Sequence, residues 1–353
     1  MRQAEIETFP EADCADGCLH PRHVYDLIGH ADAEARFIKA RQSGRLHHAW
    51  LITGAPGIGK ATLAYRIIRY MLGGESLLTN SLNIPASDPV AQRIAALGHE
   101  NFKLIRRPYD HKTKKIKTEI PVDEVRALST FFQKTAGSDS GWRVCLIDRA
   151  DELNRNSENA ILKLLEEPPE RTLFILLSSA PGQLLPTIRS RCMALELRPV
   201  PKDDIGGWLS HHIDASEEIK NAAIGLSRGA PGKALALARN SDTVLIPLSR
   251  FLSSLGSHSH STDMTLAKTL AMQSNLGTRD MFWEGLADIL QHQAVFSVTG
   301  EWTGAFKPLP VAKSPQTWAK LSEQVVETQQ RESAINLDKI AAMFDTLSAI
   351  RTA

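Results

Sequence analysis

The run Gly54-Ala55-Pro56-Gly57-Ile58-Gly59-Lys60-Ala61-Thr62 narrows the possible folds more than any other part of the chain. It follows an apolar pentapeptide, Ala49–Thr53. It precedes residues 61–72, where Leu63, Ile67, Ile68, Met71 and Leu72 recur with the spacing of one buried helix face. A glycine-rich turn in that context lets successive backbone N–H groups point inward at phosphate oxygens. The helix N-terminus adds partial positive charge, and a lysine at the position of Lys60 reaches the terminal phosphates.

The pattern asks for Ser or Thr directly after the lysine, to hold magnesium. That position is Ala61, which has no ligand atom. Thr62 is no simple replacement, because one residue along a helix rotates the side chain by about 100°. Two readings of the loop stay open: a degenerate nucleotide site made by Gly54, Gly57, Gly59, Lys60, Thr62 and Asp148, or a strand-turn-helix corner that no longer holds nucleotide. Asp148 enters because Arg143-Val144-Cys145-Leu146-Ile147-Asp148 is an apolar strand ending in an acid, the arrangement that orients magnesium through water. The next position, where a hydrolytic site of this kind carries a glutamate that activates water, is Arg149. A cation cannot serve as that base. Asp151 and Glu152 stand nearby, but acids so placed more often begin or cap the following helix. Ala61 costs metal affinity and Arg149 costs water activation, so hydrolysis by this chain alone is not expected.

Periodicity extends the α/β pattern over residues 25–199, where short apolar runs alternate with amphipathic stretches as in a parallel sheet covered by helices, and the first domain is expected over 21–200. The expected strands are 49–53, 144–147, 173–177 and 193–197, with a further helix at 159–165. Pro199 and Pro201 mark a change of composition. Residues 201–243 read as a small helical domain with a Gly-Ala-Pro-Gly turn at 229–232, and 244–353 as a third, all-helical domain with loops at 256–262 and 299–315.

Residues 1–20 read as a mobile N-terminal tail. Glu5, Glu7, Glu11, Asp13 and Asp16 face a single Arg2, and no apolar run follows, so the tail does not read as a secretory signal. No apolar stretch approaches the roughly 18 to 20 residues of a membrane span, which excludes a membrane partner of that kind. The four cysteines, Cys14, Cys18, Cys145 and Cys192, suit reduced thiols in a cytoplasm. Cys14 and Cys18 lack a partnering pair at zinc-finger spacing, and no metal site is expected. The net charge of +1 decides nothing about nucleic acid, since local patches govern phosphate binding. One such patch, with Lys103, Arg106, Arg107, Lys112, Lys114, Lys115 and Lys117, reads more readily as a solvated surface hairpin than as a DNA contact.

The segment from residue 144 to 192 resembles clamp-loader subunits of bacterial DNA polymerase III, an AAA+ family. The resemblance rests on Asn159-Ala160-Ile161-Leu162-Lys163-Leu164-Leu165-Glu166-Glu167-Pro168-Pro169 and on Leu184-Leu185-Pro186-Thr187-Ile188-Arg189-Ser190-Arg191-Cys192. Asp26-Leu27-Ile28-Gly29-His30 and Leu46-His47-His48-Ala49-Trp50-Leu51 look like the family's opening boxes, and Ile335-Asn336-Leu337-Asp338-Lys339 carries the likeness near the end. Within the family the chain is similar to the delta-prime, or stator, kind. Motor subunits carry an acid at the position of Arg149 and four zinc cysteines after the P-loop, whereas no cysteine lies between Lys60 and Arg143 here, and Gly232 stands where the motor's lid arginine would fall.

What the resemblance implies is an AAA+ P-loop domain followed by a helical lid and a helical collar. It also implies a hetero-oligomer with the motor (tau/gamma) and delta subunits, and contact with the sliding clamp and primed DNA through that complex. No cofactor is required, with ATP or ADP binding left open. Arg191 is implied to act as an arginine finger, projecting into a neighbour's ATP site to stabilise charge on the terminal phosphate. The competing reading is a self-sufficient AAA+ ATPase, either a motor-type subunit or a helicase-like remodeller, and Arg149 argues against it.

Overall fold

Seven consecutive buried positions in Thr172–Ser178 fix the centre of the molecule's only large sheet among the described residues. A strand covered on both faces has no polar side to alternate, so it reads as a continuous apolar run. The computed structural model describes residues 10–15, 17–76, 78–133, 141–256, 260–272, 276–334 and 338–352. These form two compact units: Met1–Cys14 with Leu19–Val200, and Ala15–Cys18 with Pro201–Ala353.

In the first unit the elements run α1 (Ala31–Gln42), β1 (Ala49–Thr53), α2 (Lys60–Met71), α3 (Pro89–Ala95), β2 (Phe102–Ile105), β3 (Tyr109–Asp110), β4 (Lys115–Ile116) and α4 (Val122–Gln133). They continue with β5 (Arg143–Ile147), α5 (Arg155–Glu166), β6 (Thr172–Ser178), α6 (Pro186–Arg189) and β7 (Met193–Glu196). The large sheet has the order β2-β5-β6-β1-β7, and every pairing in it is parallel. The chain leaves β1, builds one side of the sheet inward from β2, and returns to β7 on the other side of β1. The carboxyl end of β1 therefore lies at a switch point, where open parallel sheets keep their ligand crevice. On one face of the sheet, Phe174 packs 5.0 Å from Phe132 of α4, and Ile161 and Leu165 of α5 are buried with them.

The four expected strands are present within a residue of their expected ends. The helix expected at 159–165 begins earlier, at Arg155, because Asn154 caps it: its Oδ1 accepts from the Ser157 amide at 2.9 Å. The basic stretch divides. Residues 102–105 form the edge strand β2, and only β3 and β4 make the expected hairpin.

The tail expectation needs correction over residues 10–14. Residues 1–9 and 16 lie outside the described residues, and with them Arg2, Glu5, Glu7 and Asp16. Glu11 and Asp13, by contrast, are bonded into the first unit. Arg106 donates to both, Arg22 donates to Glu11 at 2.7 Å, and His20 Nε2 lies 2.9 Å from Asp13 Oδ2, with the Asp13 side chain only 1 % exposed. Burial by itself would raise the Asp13 pKa, but the neighbouring His20 and Arg106 outweigh it and hold the carboxylate below its usual range. Acids that look surplus in the sequence are thus paired with the nearby His20 and Arg22 and with Arg106 far along the chain. The segment that follows is tied to α2, where Arg69 donates to Arg22 O at 2.6 Å and stacks over the Tyr25 ring at 4.0 Å.

The second unit is helical among its described residues: α7 (Lys202–His212), α8 (Glu217–Ser227), α9 (Pro231–Arg239), α10 (Leu245–Ser253), α11 (His260–Met272), α12 (Leu276–Thr299), α13 (Pro315–Ala334) and α14 (Lys339–Thr352). Helices α12 and α13 pack along each other, and Trp283 and Trp318 are fully buried. Arg351 near the chain end makes a two-point ion pair with the buried Asp263, at 2.5 and 2.8 Å, and so ties α14 to α11. Ile335, Asn336 and Leu337 of the motif near the end lie outside the described residues.

Candidate functional site

At the end of β1 the backbone turns through Gly54, at φ +146°, and enters α2 through Gly59, at φ +114°. A Cβ on Gly54 would stand 2.8 Å from Leu197 O, and one on Gly59 would stand 3.2 Å from the Leu27 side chain. Both positions therefore disfavour a side chain on conformation, and Gly54 excludes one on space as well. Ile58 between them is buried, and its carbonyl lies 2.9 Å from His30 Nε2 at the start of α1. The phosphate loop thus keeps the shape that its sequence demands.

Its cation faces inward. Lys60 Nζ donates to Gly54 O at 2.7 Å, Ala55 O at 3.0 Å and Ser179 Oγ at 2.8 Å. An ammonium has three N–H donors, and all three are engaged by the loop and the end of β6. Burial lowers the Lys60 pKa to about 8, against the opposing pull of Asp148 and Asp151. Gripping a phosphate would require this lysine to exchange loop carbonyls for phosphate oxygens.

The acid that follows β5 is also displaced from its usual chemistry. Asp148 is buried, and burial, reinforced by the charge of Asp13, raises its pKa to about 7. Arg149 next to it is left-handed, at φ 57° and ψ 62°. Its Nε lies 3.0 Å from Glu152 Oε1, while Arg107 Nε lies 2.6 Å from the other oxygen of the same carboxylate. Asp151 Oδ1 accepts the Ser179 amide at 3.0 Å. Both acids that might have replaced the missing base are therefore committed, Glu152 to two arginines and Asp151 to the backbone after β6.

The structure brings Gly54, Gly57, Gly59, Lys60 and Asp148 together at the carboxyl ends of β1 and β5. Thr62 lies further along α2 and is half-buried. Loop amides remain suitable for phosphate. Ala61 and Arg149 do not fit magnesium binding and water activation, so the residues present do not fit a hydrolytic ATP site. Ser179 and Asp13 are participants that sequence reasoning missed. A serine pair closing an apolar strand was a signal for the first.

Arg191 stands elsewhere. It follows α6, where Thr187 O accepts from its Nη1 at 3.0 Å, and its Nη2 lies 2.8 Å from Glu166 Oε1 at the end of α5. The two most specific sequence motifs thus meet in one ion pair. The Arg191 side chain is 35 % exposed and that of Glu166 is 49 % exposed, so the pair sits in water and holds weakly.

Residues 29–201 match a family described as DNA polymerase III, delta subunit. The chain is 35% identical over 202 residues to DNA polymerase III subunit delta' of Escherichia coli (strain K12), covering 57% of this chain and 58% of that protein. It is 32% identical over 199 residues to DNA polymerase III subunit gamma of Buchnera aphidicola subsp. Acyrthosiphon pisum (strain APS), covering 54% of this chain and 49% of that one. The matches span about half the length of these relatives. Among solved structures, a DNA polymerase III gamma subunit-related protein from Thermotoga maritima aligns with a TM-score of 0.42 at 14% identity, over 91% of this chain and 98% of that one.

Proposed function

Residues 29–201 match the family described as DNA polymerase III, delta subunit, and from that match we propose that the chain is a clamp-loader subunit of the delta-prime kind, a stator that helps place the sliding clamp on primed DNA. The observation that carries this reading is a pair of cations, at the phosphate loop and after β5, that are engaged by the chain's own groups. Lys60 bonds its own loop and Arg149 bonds Glu152, where a motor subunit would keep a lysine for phosphate and an acid for water. Arg191, held only by the exposed Glu166 and a backbone carbonyl, has the role of entering the ATP site of a neighbouring motor subunit and stabilising charge on the terminal phosphate.

In this reading residues 21–200 form an AAA+ domain, α7–α9 within 201–243 form its lid, and α10–α14 within 244–353 form a collar that joins the motor (tau/gamma) and delta subunits in a cytoplasmic hetero-oligomer. The sliding clamp and primed DNA are met through that complex. The P-loop is a retained frame, and no step of ATP chemistry runs through it. No helix among the described residues is long and apolar enough to cross a membrane.

Reconstitution tests the proposal. The purified chain, mixed with motor and delta subunits from the same source, is expected to enter one stable complex and to be required for full DNA-stimulated ATP turnover. A motor-delta mixture that assembles and turns over equally well without it overturns the stator role.

A further inference from the structure

Arg191 leans on its own short segment, and that segment leans on α5. Helix α6 is four residues long, too short to persist by itself. Its N-cap is Leu185, whose side chain cannot cap, and its first helical residue is Pro186, which has no N–H. Leu184 and Ile188 are buried in the same core cluster as Ile161 and Leu165 of α5, which fixes where the turn sits. Apolar burial is non-directional, so it does not fix which way the turn points.

Direction comes from a chain of hydrogen bonds that starts on α5. Glu158 Oε1 accepts the Leu185 amide at 3.2 Å. Leu185 O accepts the amides of Ile188 at 3.0 Å and Arg189 at 3.2 Å, and Ile188 O accepts the amide of Arg191 at 3.1 Å. The same turn aims the side chain, because Thr187 O accepts from Arg191 Nη1 at 3.0 Å and from Ser190 Oγ at 3.1 Å. Glu166, near the other end of α5, holds the guanidinium at Nη2 in an exposed pair.

Helix α5 is a fixed base for that chain. At its start Ser157 Oγ donates to Ile120 O at 2.7 Å, and at its end Leu165 O accepts from His48 Nε2 at 3.0 Å. Glu158 lies in the first turn beside the buried Ser157 and is itself half-buried. Its carboxylate therefore has less room to swing than that of Glu166.

We propose that Glu158 is a positioning residue for Arg191, orienting through the Leu185 amide the turn that aims the guanidinium. The inference rests on the reading of Arg191 as a finger for a neighbour's ATP site. Such a site needs its cation placed closely, since a misplacement of about 1 Å can cost on the order of a hundredfold in rate. Gln at position 158 keeps an oxygen that accepts the amide, whereas Ala does not.

The test is single-turnover phosphate release by the complex reconstituted with motor and delta subunits, using Glu158→Ala, Glu158→Gln, Arg191→Ala and the double variant Glu158→Ala, Arg191→Ala. Rates are taken per assembled complex after size exclusion, which separates loss of folded chain from loss of rate. Glu158→Ala is expected to lower the maximal rate roughly tenfold, with the ATP concentration at half-maximal rate unchanged within about twofold. Glu158→Gln is expected to stay within about twofold of the parent. Once Arg191 is replaced, Glu158→Ala should slow the complex no further, because there is no guanidinium left to position. If Arg191→Ala slows turnover but Glu158→Ala does not, or if their effects simply add, the inference is overturned and the finger reading stands. A Glu158→Gln complex as slow as the alanine variant also overturns it. If Arg191→Ala itself changes nothing, the finger reading fails and takes the inference with it.

Discussion

The loop at residues 54–60 and the segment around Arg191 lie in the same unit, and both end in a cation, yet they treat it in opposite ways. Lys60 gives all three donors to its own surroundings and loses basicity to burial. Arg191 is partly exposed and is held by one exposed carboxylate and one carbonyl. A half-buried ammonium that must first break three internal bonds is a poor catalyst. An exposed guanidinium in a weak ion pair can change partners for less than about 1 kcal/mol. In the proposed reading the chain keeps the shape of a nucleotide site in one place and the portable charge of a nucleotide site in another.

Removing the portable charge should have the largest effect. Arg191→Ala in the reconstituted complex is expected to slow hydrolysis at the neighbouring site by roughly 10³, measured as single-turnover phosphate release, while assembly on size exclusion is unchanged. An unchanged rate would erase the contrast between the two regions.

The buried acid gives the next effect, and it depends on pH. The pKa of Asp148 rises from 3.8 to about 7 on folding, so the native chain holds a proton that the unfolded chain releases. Stability from this group is fully present below about pH 4 and is lost as pH rises through 7. Asp148→Asn should therefore stabilise the chain at pH 8 by on the order of 2 kcal/mol, and the gain should fade toward pH 4. Urea denaturation at the two pH values measures it. A variant that is destabilised at pH 8 would mean that the carboxylate is needed ionised, as a metal-binding acid would be.

A smaller effect is expected at Glu166. Glu166→Gln loosens the tether on Arg191, and since the pair is exposed, stability should change by less than about 1 kcal/mol. Turnover of the complex should move by no more than about threefold, a modest rise in barrier or depth of about 0.6 kcal/mol. Lys60→Met should matter least to the complex's turnover, within about twofold, because no step runs through the loop. A collapse of turnover with that variant would place nucleotide chemistry back in this chain.

Much of this contrast was legible in the sequence, and the reasons are physical. Strands β1, β5, β6 and β7 were readable because parallel strands covered on both faces give unbroken apolar runs, and the defects at Ala61 and Arg149 needed only position. Strand β2 was hidden because its four residues include Lys103 and run directly into Arg106 and Arg107, so an edge strand looked like part of a charged loop. The pairing of Asp13 with Arg106 was hidden because 93 residues separate the partners and no periodicity connects them. Nor does any local pattern say that Lys60 would bond Ser179 at the end of β6. Motif spacing reports which groups a site contains, whereas the partner each group prefers depends on burial and long-range packing.

The central claim is that this chain turns over no ATP itself and supplies a charge to a site that does. Steady-state phosphate release from the isolated chain, followed with and without duplex DNA and then after addition of its motor and delta partners, tests it most directly. The account predicts no release above the protein-free blank until the partners are added. Sustained, DNA-stimulated turnover by the isolated chain would contradict it.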